Sequence, residues 1–327
     1  FEILSYRQKT LILYIITYWL FAIIVWMAGT PVKANDLYIN QSGDNFTMNI
    51  TQDGDDNRVS KKEDTVNSTP NKATFVGKNQ TLNVSQTGQK NFLGLYKHTY
   101  GSDLQTAGTM DATQTGDDNI MRLDNHGDNN NITAKQETSN SEMDLQFDGD
   151  DNTVDARQAC HRGQYCEKDT MDMWVIGDDN DVKLGQGYKI SSAGVFDYDT
   201  QEFGGHSMDL YMTGDRNDVK LSQRANNNLT EHYMDINIYS DDNTVHAMQQ
   251  HNNDKSLTLT INNDDNNVSI NQQKSGGTQT GTITLTGTYG TDLDLTMGTN
   301  NTTGPGTYSL YQNCQTVGGC SVTVTQN

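Results

Sequence analysis

Paired acids recur along this chain: Asp55-Asp56, Asp117-Asp118, Asp150-Asp151, Asp178-Asp179, Asp241-Asp242 and Asp264-Asp265, each followed at once by an asparagine. Carboxylates are hard oxygen donors, the ligands that Ca²⁺ takes in flexible geometry. If the pairs stack about 5 Å apart, neighbours repel by roughly 1 kcal/mol even at the dielectric of water, and a divalent cation would relieve that. The same residues suit solvated turns, chosen for backbone geometry and for a charge that keeps molecules from clumping. Both readings stay open, although the glycine-rich nonapeptide of calcium-binding β-rolls is absent. A second acidic column, Asp111, Asp144, Asp172, Asp209 and Asp235, is expected on the outer face of the strands. The methionines Met48, Met110, Met121, Met143, Met171, Met208 and Met234 read as one column of core filling, since Met packs adaptably. The seven histidines (98, 126, 161, 206, 232, 246 and 251) share no column, and none has an evident carboxylate-and-nucleophile partnership. No catalytic set emerges, so the expectation is a protein that is not an enzyme and holds no cofactor other than Ca²⁺.

The elements that place these residues are repeats. From Leu82, apolar residues fall at Leu82, Val84, Leu93 and Leu95, with Gln86, Gly88 and Asn91 between them. The frame recurs from Met110, Met143, Met171, Met208, Met234 and Leu257, and half-units of 11 residues run in tandem at Leu37, Met48 and Val59 and at Met110, Met121 and Ile132. Alternation over four to six residues is a strand period with one buried face. Gly-Asp-x-Asn supplies residues that tolerate positive φ in a tight turn. A lone strand–turn–strand unit is unstable in water, so the units must stack. The expected fold is all-β: a β-solenoid of roughly ten rungs at about 4.8 Å, forming two facing parallel sheets. Regular repeats cover 37–272, and divergent rungs cover 283–326. Longer connections from Met143 onward (159–170, 187–207, 224–233, 250–256 and 273–282) place variable loops on one edge and short acidic turns on the other.

Composition fits a narrow core: only 33% of residues are hydrophobic, and the formal net charge is −20. Arg7 and Lys9 precede an apolar run from Leu11 to Ala28, and Val32-Lys33-Ala34 offers small residues at the cleavage positions. Residues 1–34 therefore read as a signal peptide ahead of a solenoid over 35–327, although 18 apolar residues also reach the lower limit for a membrane span. Cleavage would remove one acid (Glu2) and three bases (Arg7, Lys9 and Lys33), taking −20 to −22. Such a charge repels nucleic acid and anionic membrane, so neither is an expected partner. Cys160/Cys166 and Cys314/Cys320 have identical spacing and, in an exported chain, read as two local disulfides.

The unit apolar-x-apolar-x-Gln-x-Gly-x-x-Asn-x-apolar-x-apolar-x-Gln resembles the curlin repeat, most closely at Leu82, Val84, Gln86, Gly88, Asn91 and Leu93 and at Met110, Ala112, Gln114, Gly116, Asn119 and Met121. The resemblance implies a functional-amyloid subunit of a Gram-negative bacterium, secreted through an outer-membrane pore, nucleated at the cell surface and polymerised with itself into biofilm fibres. It also implies hydrogen-bonded ladders. Candidates are Gln41, Gln52, Gln86 and Gln114 in one column, Gln136, Gln158, Gln186, Gln223, Gln249 and Gln272 in a second, and Asn57, Asn91, Asn119, Asn130, Asn152, Asn180, Asn217, Asn243 and Asn266 in a third. Later units put Phe147, Val175, Met212, Ile238 and Ile261 in place of the first glutamine, and the repeat's leading Ser appears only as Ser141. The competing reading is a monomeric, calcium-dependent β-solenoid adhesin or surface-layer component.

Overall fold

In the computed structural model the chain divides into two units, Phe1–Ala34 and Asn35–Asn327. Described are residues 36–326 of the second unit, apart from 54–56, 61–72, 88–90, 99–107, 116–118, 138–140, 159–167, 188, 191–195, 198–204, 225–230, 251–253, 274–277, 288–289, 298–305 and 315–319.

Strand formation follows the alternation. In Thr81–Thr87 the side chains of Leu82, Val84 and Gln86 are buried while those between them face out. The same alternation runs through Glu142–Asp148 and Lys255–Ile261. Every such strand pairs in parallel with its counterpart one rung away, giving a thirteen-stranded and an eleven-stranded sheet. The first sheet begins with Asp36–Tyr38 and Asn40–Ser42, continues through Arg58–Ser60 with Ala73–Val76 and then Phe92–His98, and ends at Gly306–Cys314. The second runs from Thr47–Asp53 to Ser321–Gln326. Eleven strands in the second sheet make eleven rungs, one more than the sequence suggests. At the usual strand spacing the stack is roughly 50 Å long. A two-stranded antiparallel hairpin, Lys189–Ile190 with Phe196–Asp197, lies within the long insertion after the sixth rung.

The two sheets enclose one continuous dry core, from Ile50 and Val59 through Met121, Met143 and Met208 to Leu293 and Leu295. The β-solenoid is therefore as expected, but the phase of the repeat is not. Each rung enters on the first sheet and returns on the second, and in most of them a tight turn joins the two strands. Leu82 belongs to the second sheet and pairs with Met110, which pairs with Ile132. Met143 belongs to the first sheet and pairs with Met121 and Met171. The units starting at Leu82 and Met143 are thus half a rung out of phase, with three corrections. The methionines form two sets: Met121, Met143, Met171, Met208 and Met234 stack in the first sheet, whereas Met48 and Met110 lie in the second. Asp144, Asp172, Asp209 and Asp235 stack outward on the first sheet, while Asp111 is on the second. Phe147, Val175, Met212, Ile238 and Ile261 replace no member of the main glutamine column, for they stack on the opposite sheet, in the column that Gln41 starts.

Candidate functional site: ladders, acidic turns and open ends

Glutamine forms one ladder rather than two. Gln52, Gln86, Gln114, Gln136, Gln158, Gln186, Gln223, Gln249 and Gln272 occupy one inward column of the second sheet, and each Nε2 from Gln86 onward donates to the Oε1 one rung before, at 2.6–3.0 Å. The second Nε2 proton reaches across to a first-sheet carbonyl, as from Gln158 to Thr170 and from Gln223 to Tyr233. Each carboxamide therefore ties its rung to the one before and ties the two sheets together. A buried amide can stay in a dry core only when bonded in this way.

Asparagine forms two columns at opposite edges. Asn130, Asn152, Asn180, Asn217, Asn243 and Asn266 close the tight turns, where each Oδ1 from Asn152 onward accepts the backbone N–H of the asparagine one rung earlier at 2.9–3.1 Å. Each of the first four Nδ2 groups also bonds the glycine carbonyl three residues back. Asn57, Asn91 and Asn119 start a different column on the first sheet, with Asn119 Nδ2 donating to Asn91 Oδ1 at 3.0 Å.

The acidic turns have a division of labour. The first acid of each turn accepts the backbone N–H of its counterpart one rung on: Asp128 from Asp150, Asp150 from Asp178, Asp178 from Asp215, Asp215 from Asp241 and Asp241 from Asp264, at 2.6–3.0 Å. The second position takes positive φ, 54–61° at Asn129, Asp151, Asp179, Arg216, Asp242 and Asp265, a region that short polar side chains enter most easily. Asp128 and Asp215 belong to this ladder although neither stands in an acidic pair; the constant step to the following asparagine is the signal that marks them. Burial, reinforced by Asp150, Asp151 and Asp148, pushes the Asp128 carboxyl up against the pull of the Asp150 N–H. The Arg216 guanidinium holds Asp179 down through a two-pronged bond at 2.8 and 3.0 Å. Asp55, Asp56, Asp117 and Asp118 lie outside the described residues. Among the described residues no three His, Cys, Asp or Glu side chains are grouped to hold a metal ion.

One buried column escaped the sequence reading. Two residues ahead of each first-sheet apolar position, the column of Asn57, Asn91 and Asn119 continues as Ser141, Asp169, His206, His232, Lys255 and Gln279. Two histidines thus do share a column, because His206 and His232 stand in register on neighbouring strands with rings 5.2 Å apart and 8° from parallel. His206 Nε2 bonds the Arg224 carbonyl at 2.9 Å, and its Nδ1 lies 3.4 Å from the buried Asp169 carboxylate. Lys255 is 1% exposed, and burial pushes its ammonium down to about 8 despite the nearby Asp254 charge. The spacing that identifies Ser141 would have found all of these, had the same offset been followed into later rungs.

Outward on the first sheet, Trp174, Tyr211 and Tyr239 form a tilted aromatic row with centroids 4.7 and 5.3 Å apart. Cys160 and Cys166 lie outside the described residues, and Cys320 is disulfide-bonded.

Both ends of the stack are open among the described residues. Gly306–Cys314 and Ser321–Gln326 have a strand neighbour on one side only, as do Asp36–Tyr38 and Thr47–Asp53. Leu310 is 44% and Val324 51% exposed although both point along core columns, and Leu37, Ile39 and Met48 at the other end are half-buried. The arrangement offers hydrogen-bonding sheet edges over an apolar interior, the chemistry of strand addition. None of the known family models, curated proteins or solved structures matches this chain.

Proposed function

We propose that the chain is a structural subunit of a secreted, curli-like extracellular fibre, and that it acts by polymerising rather than by catalysis. The observation that carries this reading is the pair of ends that are open among the described residues: each presents strands with a neighbour on one side only and apolar residues that every interior rung buries. A lone edge of this kind templates further strands, and here both edges belong to one uninterrupted parallel stack. The composition agrees: the surface is acidic and the interior is dry and narrow. Residues 1–34 serve as the export signal, Cys160–Cys166 and Cys314–Cys320 close loops in an oxidising compartment, and outer-membrane secretion and nucleation factors deliver the subunit.

The test is to incubate the purified unit Asn35–Asn327 at tens of micromolar, with and without a calcium chelator, and to examine it by negative-stain microscopy and fibre diffraction. Filaments with reflections near 4.8 and 10 Å are expected, formed equally well in chelator. A protein that stays monomeric for days and gains stability only with calcium would overturn the fibre reading in favour of a calcium-dependent monomeric adhesin.

A further inference from the structure

Aromatic rings gather on the flank of the stack, where packing of the rungs does not call for them. Among the described residues, the exposed large apolar side chains are Leu310, Tyr311 and Val324 in the last rung and Trp174, Tyr233 and Tyr239 on the outer face of the first sheet. The latter three belong to three successive rungs: Trp174 lies in Lys168–Ile176, Tyr233 in His232–Ile238 with Tyr239 directly after it, and Gly205–Thr213 runs between those strands. Gly205–Thr213 contributes Tyr211, in register with Trp174 and in ring contact with both Trp174 and Tyr239. Later rungs fill the Trp174 and Tyr211 column with Thr260 and Thr284, so the strand itself needs no ring there. An exposed apolar patch of this kind marks a contact surface.

Charge beside the rings says what covers them. Asp172 and Asp209 stand two residues ahead of Trp174 and Tyr211, and Asp235 continues their column on the next strand. Neighbours in that column are about 5 Å apart, and the rings lie roughly 7 Å along each strand. Tyr233 walls the other side, its hydroxyl donating to Asp235 at 3.4 Å. Burial, reinforced by Asp144 and Glu142, pushes the Asp172 carboxyl up. From Thr170, Ser207 and Tyr233 onward, the outward places of these three strands hold no Lys, Arg or His. We infer that this trough takes an arginine-rich polypeptide segment, its guanidinium groups laid against the rings and bonded to the carboxylates beside them.

Guanidinium is the one group that uses both halves of the trough. It is drawn to the face of Trp or Tyr and grips a carboxylate with two parallel N–H donors. A calcium ion would use the acids and leave the rings idle. A second copy set face to face brings one acidic column against another, and an anionic lipid surface is repelled in the same way. A neutral sugar stacks on the rings but does nothing for the column of charge. The trough lies on the flank and not at the ends, so this inference stands apart from the fibre reading.

The experiment titrates a fluorescently labelled hexa-arginine peptide with the full chain and reads anisotropy, at a salt concentration that screens surface charge at long range. Trp174→Thr/Tyr211→Thr keeps the net charge and should weaken binding about tenfold, whereas Trp174→Phe/Tyr211→Phe keeps the rings and should stay within about threefold of the parent. Asp209→Asn should weaken binding about tenfold. Asp294→Asn removes the same charge from the outer face of the second sheet and should change it less than about twofold. Equal affinity in the Thr and Phe variants, or equal losses in the two Asn variants, would show the peptide held by the overall acidity and overturn the site. So would a parent that does not bind the peptide. Calorimetry with a neutral gluco-oligosaccharide supplies the last arm: binding that the Thr variant abolishes, with the peptide indifferent to the same substitutions, would assign the rings to sugar instead.

Discussion

Lys255 offers the sharpest quantitative check on the interior. Its side chain is 1% exposed, and burial lowers its ammonium from the ordinary 10.5 to about 8. A depression of about 2.5 units corresponds to roughly 3 kcal/mol of penalty on the folded state wherever the lysine is charged in both states. The sign follows from proton counting. Between pH 8 and 10.5 the unfolded chain still holds the lysine proton while the folded chain has released it, so stability rises with pH across that window. Below pH 8 both states hold the proton and the penalty is fully present. Replacing Lys255 by Met, the residue already stacked at Met208 and Met234 in the adjacent column, removes the charge and keeps the volume. The variant should be about 2–3 kcal/mol more stable than the parent at pH 7, and the gap should shrink progressively from pH 8 to 10.5. Urea unfolding of dilute monomer, followed through Trp174, measures this directly, for Trp174 is the only tryptophan after residue 34. Tyrosine titration above pH 9 is common to both proteins and cancels in the difference. A gap that stays constant from pH 7 to 10.5 would refute the claim that Lys255 is buried at the expense of its charge.

Three further outcomes follow from the ladders and turns. Gln186→Leu removes the donor to Gln158 and the acceptor for Gln223, so it should cost about 2–4 kcal/mol. Gln52→Leu, at a terminal rung with a ladder neighbour on one side only, should cost less than half of that by the same urea titration. Gly177→Ala should destabilise by about 2 kcal/mol or more, since the residue has a φ of 124° and an added Cβ would lie 2.5 Å from the Gly149 carbonyl oxygen. Asp178→Asn should be neutral or slightly stabilising, because the amide oxygen still accepts the Asp215 N–H while a stacked charge is lost. Asp178→Ala should cost about 1 kcal/mol; equal thermal shifts for Asn and Ala would show that the backbone bond is unimportant.

Some of this was written in single residues and their neighbours. Alternation at Leu82-x-Val84 or Met143-x-Leu145 dictates a strand with one dry face, because side chains alternate at a period of two whatever lies around them. Gly149-Asp150-Asp151-Asn152 dictates a tight turn, because its second acid must take positive φ and its asparagine can bond back to the glycine carbonyl. Units too small to fold alone then have to stack. Stacking partners were another matter. Both halves of a rung carry nearly the same apolar-x-apolar pattern, and acid-Asn segments such as 55–57 precede first-sheet strands while 150–152 precede second-sheet ones. Pattern alone therefore could not say which half faces which. Backbone pairing across 22 to 37 residues decided it, fusing two glutamine sets into one ladder and dividing the asparagines between two edges. The Asp169–His206–His232–Lys255 column lies two residues ahead of Met171, Met208, Met234 and Leu257 and so was legible as an offset, but only the pairing stacks its members on one another.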